Sequence, residues 1–511
     1  MGTPSRSDPS SWQRNADELR ETHKRCACII GGGLCGLACA IELGRQGFAI
    51  VIVDPEEPGA AHASNCTGLL EPLAPKGRLM WRGIEAYDAA HKLILAASEH
   101  GGSPCFSDTG SLHVASSEKQ ATQLAATAHL GSEAVWLRAA AESSDANEAS
   151  VNVSSDDEAL LSHARLALNS VESPHGALYW RRALVVDTGT YLRQLWSLVQ
   201  ATTRAVWIRR TLHHVWAIAS VFDLVVVAAG AACLSIDETR HLPLELVRGQ
   251  VLEYTVAGGA GSGAADIAAA ELAAPPALHQ LSTALVGTVC ILPHRREGDG
   301  LLHLDCGGTY EPTDPIGREQ QQPADLDTAS AQLHAPLLDL FPPLVAAGAP
   351  VRARAGVRAL PPRCRINGND VGTVPLAGRA HSCRCERSGT PTRDGGNNVW
   401  MMGGMGARGL LYHALLASWL AEAADRNDAG VLPVEVRRGE FAAMVTSRLE
   451  RLLAEMEAEV REQAKVSARA AAKAARRRGG LERLLHGGPE HGPEQGHRGV
   501  RGGGVLQGDC S

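Results

Sequence analysis

The chain has 511 residues, 44% hydrophobic and 21% charged, with 49 basic against 56 acidic side chains for a formal net charge of −7. That length and composition suit a globular protein with a sizeable core, either two domains or one large domain with appendages. The negative balance argues against a protein that coats nucleic acid, and without a run of about 18 apolar residues no transmembrane helix is expected.

Residues 1–25 are polar and are expected to be flexible. They contain Asp8, Asp17, Glu18 and Glu21 and no apolar h-region, so the expectation is an intracellular chain, cytoplasmic or plastid and not secreted. The 13 cysteines then read as reduced thiols. Cys26, Cys28, Cys35 and Cys39 read as small core residues. Cys383 and Cys385 have no second ligand pair nearby, so no metal site is expected.

A strand–turn–helix follows: CACII at 26–30, GGGLCG at 31–36, then a helical stretch to 46. Gly31, Gly33 and Gly36 satisfy G-x-G-x-x-G. The first Gly allows the tight turn, the second lets backbone approach a pyrophosphate, and the third lets helix pack on strand. The helix N-terminus, with Leu34 and Cys35 in its first turn, offers N–H groups to phosphate oxygens. A second apolar run at 48–53 ends in Asp54, placed to accept hydrogen bonds from a ribose. The alternative is a glycine-rich turn in an unrelated α/β protein.

Farther on, residues 78–100 and 190–200 have helical spacing. Residues 140–158 read as an acidic solvated linker. The run FDLVVVAA at 222–229, closed by Gly230, suits a central strand of a parallel sheet. Residues 257–276 read as an insertion, and strands alternate with turns through 284–310. A short strand at 399–402 precedes Gly403-Gly404-Met405-Gly406 and a helix over 409–424. Residues 426–478 read as a charged helical extension, with Arg461, Lys465, Arg469, Lys473 and Arg477 on one face. That stripe is either a solvated face or a site for an anionic partner. Residues 479–511 read as a disordered tail.

Several segments together resemble the FAD-dependent oxidoreductases of the D-amino-acid oxidase superfamily, which includes glycine and sarcosine oxidases. Within it, the chain looks closest to the FAD-dependent half of the tRNA wobble-uridine modification enzyme and its plant and algal homologues. The matching segments are GGGLCG at 31–36, Asp54, ASNCTGLLEP at 63–72, PKGRLMW at 75–81, DTGTYLRQLW at 187–196 and DLVVVAAGA at 223–231. They continue with LPLELVRGQVL at 242–252, CGGTYE at 306–311, AGVRALPPR at 355–363, VPLAG at 374–378 and GGMGARGLLYHALLASWLA at 403–421.

The resemblance implies an α/β fold: a discontinuous, doubly wound (Rossmann-like) FAD-binding domain plus an antiparallel-sheet substrate domain that roofs the flavin. Residues 26–425 would form this unit. Its FAD part would be about 26–75, 160–235 and 350–425, and its substrate part about 76–159 and 236–349. By the same resemblance, Ser64 and Thr67 hydrogen-bond near the flavin and diphosphate, and Gly68 permits close backbone approach there. The turn of Gly404, Gly406, Ala407, Arg408, Gly409 and Leu410 faces the flavin's pyrimidine edge, where a helix N-terminus stabilises negative charge.

Arg358 matches the arginine that clamps a substrate carboxylate in amino-acid oxidizing relatives, a task suited to a guanidinium fork. A structural ion pair is its alternative role, and Arg408 is a second candidate. Arg352, Arg354 and Arg363 nearby weaken the case for Arg358. The segment between Trp207 and Asp223 reads as a short hairpin, and insertions interrupt the substrate sheet and the 379–398 loop. The implied cofactor is FAD and the implied activity is oxidation of a small-molecule amine or amino acid, with hydride passing to flavin N5 and oxygen as acceptor. RNA modification at a wobble uridine is the first rival. An inactive flavoprotein-fold interaction module and a nicotinamide-only dehydrogenase are the others. Oligomeric state is open.

Overall fold

The computed structural model describes residues 9–60, 65, 67–128, 133–138, 155–171, 173–256, 276–295, 301–313, 323–380 and 398–437. All lie in one compact unit, Met1–Thr446; the second unit, Ser447–Ser511, lies outside the described residues. The basic stripe at 461–477, the 479–511 tail, Ser64, Cys383 and Cys385 therefore also lie outside them, as do most of the 140–158 and 257–276 segments.

Two sheets carry the fold. The first is six-stranded, in the order Leu376–Arg379, Val399–Gly403, Leu224–Val227, Arg25–Ile30, Phe48–Asp54, Ala205–Arg209. Every neighbouring pair is parallel except the first. The strands are near-continuous apolar runs because both faces are covered. Ala27, Ile29, Ile50 and Ile52 face the helices Leu34–Arg45, Gly83–Gly101, Thr188–Thr202 and Gly409–Asp425. Cys26, Cys28, Val51 and Val53 face the other way, onto Trp12, Leu19, Ile218 and Phe222. From Arg25–Ile30 the chain adds strands toward one edge, then returns to add Leu224–Val227 and Val399–Gly403 on the other side. The resulting crevice at the carboxyl ends of Arg25–Ile30 and Leu224–Val227 is where open α/β sheets bind ligands.

The second sheet has nine strands and is mainly antiparallel. Its spine is the long strand Glu245–Val256, paired with Leu302–Gly307 on one side and Arg352–Leu360 on the other. Leu252, Tyr254, Leu304 and Cys306 pack outward against Leu333 and Leu337 of the helix Leu326–Leu340. Directly paired residues share a sheet face, and the register puts Val247 with Arg358, Val251 with Arg354 and Gly307, and Gly307 with Cys290. Those residues make up the opposite, inner face. This is the doubly wound domain with an antiparallel roof that the sequence implied.

Some segments lie elsewhere than expected. Residues 9–20 form a helix, because Trp12, Ala16 and Leu19 recur at helical spacing and are at most 1% exposed. Strands Ala177–Trp180 and Arg352–Leu360 belong to the roof sheet, not the FAD part. Conversely, Gly83–Gly101 packs among the FAD-side helices through Tyr87, Leu93 and Ile94. Residues 207–223 form no hairpin: Trp207 lies in the outer parallel strand Ala205–Arg209, and a short helix Trp216–Ala219 follows. Residues 429–436 join the core instead of starting an extension, with Leu432 and Val436 buried and the Ala377 N–H bonded to the Val436 carbonyl at 2.9 Å.

Candidate active site

The glycine turn sits at the crevice. Gly31 has φ 104°, and a Cβ there would lie 2.5 Å from the Ala228 carbonyl oxygen. A Cβ on Gly36 would lie 1.8 Å from the Gly31 oxygen, so the third glycine lets the helix pack on its own entry turn. Gly33 caps Leu34–Arg45 with no side-chain cap bond. The N–H groups of Leu34, Cys35 and Gly36 therefore present an anion site at the helix end. Burial pushes the Cys35 thiol up to about 12, so it stays protonated. Asp54 ends its strand and accepts from the Gly32 N–H at 2.7 Å through Oδ2 and from the Glu56 N–H at 2.9 Å through Oδ1. Each oxygen keeps acceptor capacity for a ribose hydroxyl. Gly230, at φ 57°, opens the 3₁₀ turn Gly230–Ser235 just beyond Ala228 and Ala229, which abut Gly31.

The distal turn reaches the same place. Gly404 and Gly406 have φ 66° and 54°, and Arg408 caps the helix Gly409–Asp425 without a side-chain cap bond. A Cβ on Gly409 would lie 3.2 Å from Leu34 Cδ1, so two helix N-termini from opposite ends of the chain adjoin. Ala407 is exposed and Leu410 is buried. Below the turn, the Leu410 carbonyl accepts from His413 Nδ1 at 2.9 Å, which leaves Nε2 to accept from the Tyr191 hydroxyl at 2.7 Å. Burial lowers His413 to about 4, so the ring is neutral.

The roof closes over this turn. The Gly406 N–H donates to the Ala359 carbonyl at 2.9 Å. One residue away, Arg358 lies over Gly249 and donates from Nη2 to the Thr309 carbonyl at 2.6 Å. The neighbouring arginines are tied to carboxylates: Arg352 to Glu253 at 2.7 Å, Arg354 to Asp305 at 2.5 Å and Arg363 to Asp370 at 2.5 Å. Arg408 Nη1 lies 3.8 Å from Glu71 Oε1. Glu71 is 1% exposed, and its other oxygen takes bonds from Ser111 and His113 at 3.0 Å each. Burial pushes the Glu71 carboxyl up, but His113, Arg408 and Ser111 outweigh that and hold it below its usual range. The structure thus adds Glu71, Ser111 and His113, which sequence reasoning missed. The only local signal was an acid inside the apolar run LLEP.

Thr67 is half-buried. Gly68 does allow a close backbone approach, but to protein: a Cβ there would lie 1.8 Å from the Val186 oxygen, and the Val186 N–H donates to the Gly68 carbonyl at 2.7 Å. Its glycine is required by strand pairing.

This cradle fits a dinucleotide: two uncapped helix ends, glycines whose Cβ atoms would fill the turn, and a carboxylate at the adjoining strand end. Comparison with known proteins agrees. Residues 27–423 match the family profile described as "DAO: FAD dependent oxidoreductase". A curated relative, the tRNA 5-methylaminomethyl-2-thiouridine biosynthesis bifunctional protein MnmC of Methylobacillus flagellatus, is 29% identical over 241 residues. That match covers 44% of this chain and 33% of the relative, so the chain spans about a third of that protein's length. Among solved structures, glycine oxidase from Geobacillus kaustophilus aligns with a TM-score of 0.51 at 18% identity, covering 79% of this chain and 95% of that one. Iminodiacetate oxidase from Chelativorans sp. BNC1 aligns at 0.54 and 17% identity, covering 80% and 97%. At such identities these two structures establish the fold.

Proposed function

We propose that this chain, which belongs to the DAO family of FAD-dependent oxidoreductases, oxidises a C–N bond of a small amine or amino acid. When bound, FAD supplies the acceptor for a hydride from the carbon beside the substrate nitrogen. The N–H groups of Leu34, Cys35 and Gly36 hold the diphosphate, and Asp54 holds a ribose hydroxyl. The N-terminus of Gly409–Asp425 stabilises negative charge that develops at the reacting ring. The roof sheet excludes water, and Glu71 fixes the Arg408 side chain at the turn. Arg358 holds the substrate carboxylate. One observation carries this reading: the strand bearing Arg358 ends on the distal turn through the 2.9 Å bond from Gly406 to Ala359. The expected assay result is hydrogen peroxide with an aldehyde or keto acid, formed from a carboxylate-bearing amine in air. Turnover of no such amine would remove the reading.

A second reading is favoured by the match to the tRNA-modifying relative: oxidation of an amine-bearing wobble-uridine side chain in tRNA. It predicts a salt-dependent tRNA mobility shift that survives removal of residues 461–511. A shift lost with those residues would assign RNA binding to the basic tail alone.

A further inference from the structure

The strand order sets the features of the crevice in a line along the carboxyl ends of the parallel strands. The turn at 403–410 follows Val399–Gly403, Gly230 follows Leu224–Val227, and the glycine turn follows Arg25–Ile30. Asp54 ends the next strand, and Ala205–Arg209 is the edge. FAD is itself linear: flavin, diphosphate, ribose, adenine. With the diphosphate at Gly33 and the ribose at Asp54, the adenine end falls to the edge strand.

Trp207 lies two residues before the carboxyl end of that strand, paired with Ile52, and its side chain reaches back to the glycine turn. Its indole rim abuts the glycine turn so closely that a Cβ on Gly32 would lie 2.0 Å from Cη2. Its Nε1–H donates to the Glu56 carbonyl at 2.9 Å, and Trp196 packs edge-on at 5.1 Å between centroids. Glu56 and Gly32 are the two residues whose N–H groups bond Asp54. The indole thus closes a circuit of glycine turn, Asp54 carboxylate and Glu56, while the residue stays half-buried. The same side chain also packs, with Trp196, against the apolar core beneath the helices.

We infer that Trp207 is the adenine-side recognition residue of the dinucleotide site. It braces the glycine turn and offers an aromatic surface to an adenine nucleotide. It also explains why Gly32 is glycine, which the diphosphate-binding pattern does not require at that position. The inference rests on FAD binding alone and is independent of which amine is oxidised.

The test uses the full chain, stripped of flavin and titrated with FAD, with ADP and with FMN. Trp207→Leu should weaken both FAD and ADP by about tenfold or more and weaken FMN, which lacks the adenine, by clearly less. Trp207→Phe should fall between Trp207→Leu and wild type. Gly32→Ala should lose FAD through the indole clash. Gly32→Ala combined with Trp207→Leu should recover to the affinity of Trp207→Leu alone. Equal affinities for FAD and ADP in wild type and Trp207→Leu would overturn the inference, as would an equal loss of FMN. If Trp207→Leu does not fold, Trp207→Phe decides: ADP should quench tryptophan emission in wild type and not in Trp207→Phe, and quenching that persists would overturn the assignment.

Discussion

Arg358 can be disturbed without being replaced. Its Nη2 lies 2.6 Å from the Thr309 carbonyl, and a Cβ on Gly249 would lie 2.3 Å from that same nitrogen. Ordinary non-bonded contact is about 3.5 Å, so Gly249→Ala must move the guanidinium by about 1 Å. A displacement of about 1 Å in a positioning group costs on the order of a hundredfold in rate. Arg358→Lys removes the planar fork outright and should cost about 2–5 kcal/mol, roughly 30- to 5,000-fold in kcat/KM. The assay is anaerobic stopped-flow reduction of the bound flavin across a substrate concentration series, run with an amino acid and with the matching amine that lacks the carboxylate. Both variants should keep wild-type FAD content, and only the carboxylate substrate should lose rate. An equal loss for both substrates would refute the clamp, and loss of FAD from Arg358→Lys would make the residue a folding or cofactor residue.

Other outcomes follow from the same geometry. Gly33→Val should give a folded protein that has lost most bound FAD, seen as a fall in flavin-to-protein absorbance, because a side chain at the helix end displaces the diphosphate. Gly36→Ala should lower the melting temperature, by an overpacking cost of about 1–3 kcal/mol, since its Cβ would lie 1.8 Å from the Gly31 oxygen. Buried His413 sits at about 4 against an ordinary 6.5, so between those values the unfolded chain binds a proton that the folded chain does not. Stability should therefore fall as pH drops from 6.5 to about 4, by at most about 3 kcal/mol from this residue. Denaturant titrations of His413→Phe should show a correspondingly shallower pH slope than wild type.

The parts of the fold that were legible in the sequence are those set by local pattern. The apolar runs at 26–30, 48–53 and 222–229 and the glycine turn define parallel strands and a helix end without knowledge of their neighbours. The helix Pro9–Arg20 was hidden because Trp12, Ala16 and Leu19 are spread among polar residues, and only the sheet face they cover gives them meaning. Gly68 was legible as a glycine, but its reason is Val186, far along the chain. Glu71 and Trp207 were illegible as site residues for the same cause: His113, Ser111 and Arg408 gather around the first, and Gly32 and Glu56 around the second, only after folding. The division into FAD and roof parts shifted where one strand, Arg352–Leu360, pairs with the roof while its end bonds to the distal turn.

The most direct test of the account is the visible absorbance spectrum of the purified full chain, followed anaerobically as carboxylate-bearing primary and secondary amines are added. The account predicts a flavin spectrum, release of intact FAD on acid treatment, and bleaching of the oxidised band by at least one such amine. A preparation that neither carries nor takes up FAD, or a bound flavin that no such amine reduces, would contradict it.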